Sequence, residues 1–172
     1  MIDTEEVLNN ADNREYIMQV IKEDPMQLEN ISPRLQNDKE IVFEALKLDG
    51  RALEFASDEL KNDKQIVLEA IKTAPWTVCY ASESLRDDKE VMLNSVKGNG
   101  QGLYYASKNL RNDKDVVLEA VKNKPIIVKY ASKELRDDKE VIQEAVLRDK
   151  RTLIYATPRL QIDEDILKII NE

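Results

Sequence analysis

A 25-residue period runs through this chain without an insertion. That regularity restricts the fold more than any other feature of the sequence. Counted from the alanine of a recurrent Tyr-Ala-Ser, repeats begin at Ile31, Ala56, Ala81, Ala106, Ala131 and Ala156, after a degenerate one from Glu6. Leucine holds position 5 (Leu35, Leu60, Leu85, Leu110, Leu135, Leu160) and aspartate holds position 8 (Asp38, Asp63, Asp88, Asp113, Asp138, Asp163). One repeat has too few apolar side chains to offset the entropy of ordering its own backbone, so neighbours must share a continuous core. The expected fold is all-α, an α-solenoid of about six and a half helix-pair repeats of 25 residues. The chain is expected to form a single domain over 1–172, with an acidic degenerate repeat over 1–30, regular repeats over 31–155 and a half repeat over 156–172.

Within each repeat, apolar residues fall at positions 11, 12, 15 and 16, as at Ile66, Val67, Ala70 and Ile71. That spacing marks one face of a helix. The aspartate at position 8 suits an N-cap, while Asn37 with Glu40 offers a capping box one residue away. Lysine at position 17 (Lys47, Lys72, Lys97, Lys122) suits the helix C-terminus. Position 20 carries Pro25, Gly50, Pro75, Gly100, Pro125 and Lys150, where proline fits the first turn of a second, short helix. This helix is expected to bury position 23, the tyrosine at 25 and the alanine at 1. Serine or threonine at position 2 then caps a further turn that reaches the leucine at 5.

The strings Leu110-Arg111-Asn112-Asp113-Lys114-Asp115-Val116-Val117-Leu118-Glu119-Ala120-Val121-Lys122 and Leu103-Tyr104-Tyr105-Ala106-Ser107 resemble the helical repeat family called domain of unknown function 4116. The resemblance spans residues 31–160 or so and weakens at both ends. It implies an all-helical array and brings no activity with it.

Chemistry is sparse. Histidine is absent, which removes the commonest general base and metal ligand. The acidic pairs Asp87-Asp88 and Asp137-Asp138 stand at a repeated helix start, where capping explains them. Asp163-Glu164-Asp165 lacks the glycine and the distal glutamate of a calcium loop. Gly98-Asn99-Gly100-Gln101-Gly102 lies between helices rather than after a strand, so it is expected to be a turn that loosens the middle of the array. The charges at positions 9, 10, 14 and 17 are expected to pair along each helix on a solvated face. No catalytic residue, metal site or cofactor is expected, and the protein is not expected to be an enzyme.

The lone Cys79 fits a reducing compartment. The acidic start MIDTEEVLNN does not resemble a secretory signal, and no stretch approaches the ~20 apolar residues that span a bilayer. A cytoplasmic location is therefore expected, and the sequon Asn30-Ile31-Ser32 is taken as coincidence. The net charge of −8 is uneven: residues 1–30 hold eight acids against Arg14 and Lys22, while residues 91–133 hold eight bases against three acids. Without a broad basic field, direct binding of nucleic acid is disfavoured.

Position 21 alternates between apolar and polar: Met26, Arg51, Trp76, Gln101, Ile126, Arg151. Either a pair of repeats was duplicated, or every second repeat offers an apolar side chain to a partner. Position 24 (Glu54, Cys79, Tyr104, Lys129, Ile154) is expected to point outward. The candidate partner-binding residues are Trp76, Tyr104, Met26, Ile126, Arg51, Arg151 and Lys129. They suit a non-enzymatic module that holds a protein or peptide. Two other classes stay open: a small acidic inhibitor of a nucleic-acid-handling enzyme, and a structural or self-assembling spacer. The apolar Ile162, Ile169 and Ile170 allow either a monomer or a weak dimer through the C-terminal end.

Overall fold

The computed structural model describes residues 2–171, and every regular element in it is helical. The fold is all-α, made of helical repeats that pack on their neighbours in solenoid fashion. The chain divides into two compact units, Met1–Leu85 and Arg86–Glu172.

Each complete repeat contributes one long helix, as at Lys39–Leu48, Lys64–Thr73, Lys89–Gly98, Lys114–Asn123 and Lys139–Arg148. The aspartate at position 8 is the N-cap throughout. Asp113, for example, accepts from the backbone N–H groups of Asp115 and Val116 at 3.1 and 3.2 Å. The apolar face at 11, 12, 15 and 16 is fully enclosed, with Ile41, Val42, Ala45 and Leu46 all at zero exposure.

The second helix of each repeat is a 3₁₀ helix, as at Pro25–Asn30, Gly50–Phe55, Pro75–Tyr80 and Pro125–Tyr130. Three residues per turn place positions 22 and 25 on one line and 21 and 24 on another. Position 22 is consequently buried (Ala52, Thr77, Gly102, Ile127, Thr152), which the α-helical expectation missed, and the ring at 25 is only half-buried. The buried threonines satisfy themselves: Thr77 and Thr152 each donate Oγ1–H to the carbonyl at position 19, at 2.7 Å.

Serine at position 2 has two roles. Its Oγ accepts from the backbone N–H at position 5, and its hydroxyl donates to the side chain at position 7 of the preceding repeat. Ser82 reaches Asn62 Oδ1 at 2.6 Å and Ser132 reaches Asn112 Oδ1 at 2.5 Å. Beside this staple the backbone N–H of the same residue donates across repeats: Ser57 to Gln36 O at 3.0 Å, Ser132 to Arg111 O at 2.8 Å.

The charged pattern departs from expectation in one respect. Positions 14 and 17 do pair along a helix, as Glu69 with Lys72 at 2.5 Å. The base at position 9 instead crosses to the next repeat, where it meets the cap aspartate and the side chain at position 10. Arg14 takes Asp38 and Glu40, Lys39 takes Asp63 and Gln65, Lys89 takes Asp113 and Asp115, Lys114 takes Asp138 and Glu140, and Lys139 takes Asp163 and Asp165. Exposed pairs of this kind contribute about 0–1 kcal/mol each, so their main effect is to fix the register of one repeat on the next.

The cap carboxyls of Asp38, Asp63, Asp113, Asp138 and Asp163 lie below the ordinary aspartate value of 3.8. For Asp38 and Asp163 the largest influence is the hydrogen bond from Arg14 or Lys139. For Asp63, Asp113 and Asp138 burial pushes the value up, and lysine and backbone hydrogen bonds together outweigh it. A depressed folded value stabilises above the unfolded value, and that contribution fades as pH falls through the folded one. The melting temperature is therefore expected to hold steady down to about pH 5 and to fall below about pH 4. Lys114→Met, which strips Asp138 of its cation, should make the acid decline shallower. Equal melting temperatures at pH 3 and pH 6 would contradict the ladder.

The glycines at 100 and 102 do not form a loose joint. Both are buried contact points with ordinary backbone angles. A Cβ at Gly102 would lie 2.4 Å from Ser95 Oγ, so the glycine accommodates the one serine that replaces alanine at position 15. Gly100 donates its N–H to Asn123 Oδ1 at 2.8 Å, and Gly50 donates to Thr73 Oγ1 at 2.7 Å. This gives the alternation of proline and glycine at position 20 a physical basis. Where position 20 is glycine, its N–H needs an acceptor, and position 18 of the next repeat supplies Thr73 or Asn123. Proline has no N–H to satisfy, and after Pro25 and Pro125 position 18 holds Leu48 and Arg148.

At the C-terminal end Ile166 is buried, Ile169 and Ile170 are half-buried, and Ile162 is 74% exposed. Among the described residues no helix is long and apolar enough to cross a membrane.

Candidate functional site

Within each unit the 3₁₀ geometry defines a surface stripe, because positions 21 and 24 eclipse each other on the side of the helix away from the buried position 23. In the N-terminal unit the pairs are Met26 with Glu29, Arg51 with Glu54, and Trp76 with Cys79. In the C-terminal unit they are Gln101 with Tyr104, Ile126 with Lys129, and Arg151 with Ile154. Within each unit neighbouring 3₁₀ helices pack side by side.

Trp76 follows Pro75 at the start of its helix and is 38% exposed. Its ring lies 5.9 Å from that of Tyr80, tilted by 59°. Tyr104, 53% exposed, stands edge-on to Tyr105 at 5.0 Å and to Tyr130 at 4.9 Å. Lys129 places its ammonium 4.8 Å from the centre of the Tyr130 ring. Tyr104 and Lys129 thus meet around Tyr130, a residue that the sequence expectation assigned to the core alone. Trp76 and Tyr104 belong to different compact units.

The remaining candidates divide. Arg51 and Arg151 are exposed but tied back to their own cap residues, with Nη2 at 2.6 Å from Asp49 and 2.9 Å from Asp149. Each arginine holds its aspartate below the ordinary carboxylate range, chiefly through that hydrogen bond. Met26 and Ile126 are half-buried and present only part of their side chains. Ile154, 70% exposed at position 24, was missed as a candidate. The repeated i, i+3 pairing of positions 21 and 24 is the signal that would have singled it out.

The stripe contains no catalytic arrangement of acid, base and nucleophile. What it offers a partner is apolar and aromatic area: Trp76 in one unit, and Tyr104 and Ile154 in the other.

A family model described as Domain of unknown function (DUF4116) matches four times, over residues 13–61, 39–86, 88–136 and 113–161. The chain belongs to this family. Each DUF4116 match spans close to two repeats, starting at the helix cap or the residue after it and ending at position 6 of the short turn. One match therefore includes a complete inter-repeat junction, with its serine staple and lysine–aspartate pair. No curated protein and no solved structure matches the chain.

Proposed function

We propose that this DUF4116 protein is a non-enzymatic, cytoplasmic binding module that holds a protein or peptide on the stripe of positions 21 and 24. One contrast carries the reading. Most polar side chains of the repeat are engaged in capping, stapling or ion pairing, whereas the stripe leaves large apolar area at Trp76, Tyr104 and Ile154 exposed. Large aromatics that are already held in place are effective anchors, because little side-chain entropy is lost when they are covered. The cytoplasmic part rests on the single cysteine, Cys79.

The acidic-inhibitor reading has its own support. Residues 1–85 carry 18 acidic and nine basic side chains, a net −9, against +1 for residues 86–172. The ionic strength of a capture experiment separates the two. With the full chain as bait, a partner held by the aromatic stripe should remain at about 0.5 M salt, where exposed charges are screened within a few ångströms. A partner that binds at about 0.1 M and is released at about 0.5 M would favour the inhibitor and count against the stripe.

A further inference from the structure

Position 6 carries arginine at Arg86, Arg111 and Arg136, and in all three the Nε atom is buried without a hydrogen-bond partner. The same position is closed where it carries glutamine. Gln36 donates to Leu28 O at 3.0 Å, and Gln161 donates to Ala156 O at 2.9 Å and to Ile154 O at 3.3 Å, so each closes carbonyls at the end of the preceding 3₁₀ helix. The arginines leave their guanidinium groups largely uncommitted; Arg136 makes one long contact, 3.4 Å, to Tyr155 O. Around Arg111 the surface opens into a cleft of about 460 Å³, lined also by Lys108, Asn112, Tyr130, Ser132 and Glu134. One repeat further on, a cleft of about 400 Å³ reuses the same four repeat positions with Lys133, Asp137, Thr157 and Arg159. In the N-terminal unit, positions 3 and 6 hold Pro33 and Gln36, then Asp58 and Lys61, so the paired bases belong to the C-terminal unit.

We infer that these clefts bind acidic side chains of an extended peptide, with Arg111 and Lys108 receiving one carboxylate. A guanidinium with free donors is suited to a carboxylate in two-point geometry, and the half-buried Tyr130 supplies a wall. Packed helical layers lie ~9 Å apart, and three residues of extended chain span ~10 Å, so acids at every third residue would meet successive clefts. Glu134, which lines both clefts, selects peptide over nucleic acid, while Asp137 in the second is paired with Arg159 at 3.1 Å. A phosphodiester brings a negative charge at every step and would meet the Glu134 carboxylate, whereas a peptide passes it with neutral residues or backbone N–H groups. The inference rests on the reading of the chain as a peptide-binding module and names the ligand chemistry of a second surface on it.

The test uses the full chain and a labelled twelve-residue peptide of four Glu-Gly-Gly units, followed by fluorescence anisotropy at low salt. The matching Gln-Gly-Gly peptide and a twelve-nucleotide oligothymidylate serve as comparisons. The glutamate peptide should bind most tightly. Arg111→Ala should weaken it about tenfold or more. Arg111→Lys should recover part of the loss by keeping the charge without the fork. Lys108→Ala, at an exposed position, should weaken binding several-fold without touching the core. Equal affinity for the glutamine peptide, tighter binding of the oligonucleotide, or indifference to both Arg111→Ala and Lys108→Ala would overturn the assignment. Affinity for the glutamate peptide and capture of the stripe's partner are separate measurements, so failure here and failure of the aromatic stripe are read separately.

Discussion

Gly50→Ala should lower the stability of the protein by about 3 kcal/mol, which for a chain of this length shifts the melting temperature by about 6–12 °C. An added Cβ would stand 2.1 Å from the carbonyl oxygen of Ala70 and 2.8 Å from Thr73 Oγ1. The oxygen is backbone, fixed in the helix Lys64–Thr73 by the bond it accepts from Ala74 N–H at 3.0 Å. It cannot retreat without breaking the last turn of that helix. The Gly50 N–H would also be pulled away from Thr73, leaving a donor at a part-buried site short of its acceptor. Gly102→Ala is a useful contrast. Its added methyl would meet Ser95 Oγ, the end of a side chain that can turn aside, so a smaller loss is expected. A melting temperature for Gly50→Ala within about 1 °C of the parent would show that the repeats do not approach as closely as described.

Much of this fold could be read from the chain because each repeat carries its own instructions. The cap aspartate, the apolar face at 11, 12, 15 and 16, and the serine at 2 are local signals, and the structure uses each where the sequence puts it. What escaped was whatever depends on the contact between layers. Lys114 stands one residue after Asp113 and one before Asp115, and nothing local indicates that it serves Asp138 and Glu140 instead. The asparagine or aspartate at position 7 has the spacing of a capping box, yet it accepts from a serine 20 residues later. Gly98 to Gly102 looked like a flexible turn because glycine has two uses that composition cannot separate. Here it admits close approach of a neighbour rather than an unusual backbone angle.

The candidate site was legible in part for a similar reason. Trp76 after a proline and Tyr104 one residue before the core ring signal exposure from their positions alone, and both are exposed. The 3₁₀ winding was not legible, since a six-residue segment is too short for three residues per turn to be told from 3.6. With it went the pairing of 21 with 24, the burial of 22, and the prominence of Ile154. The arginines at position 6 carried no local signal either. Their significance depends on the orphaned Nε atoms and on the contrast with glutamine at the same place.

Partner capture by the double variant Trp76→Ala, Tyr104→Ala, measured beside its melting temperature, tests the proposed binding stripe most directly. Both rings make contacts worth about 0.5–1.5 kcal/mol per aromatic pair, so a loss of a few degrees is expected from packing alone. As anchors of an interface they contribute more to binding than to folding, and removing such a residue commonly costs over about 2 kcal/mol, a factor of about thirty in affinity. If the rings anchor the partner, the variant stays folded and melts cooperatively but no longer captures it. A variant that loses many degrees of stability yet captures the partner at the parent level would show that the two rings serve the fold, and would contradict the stripe as the binding surface.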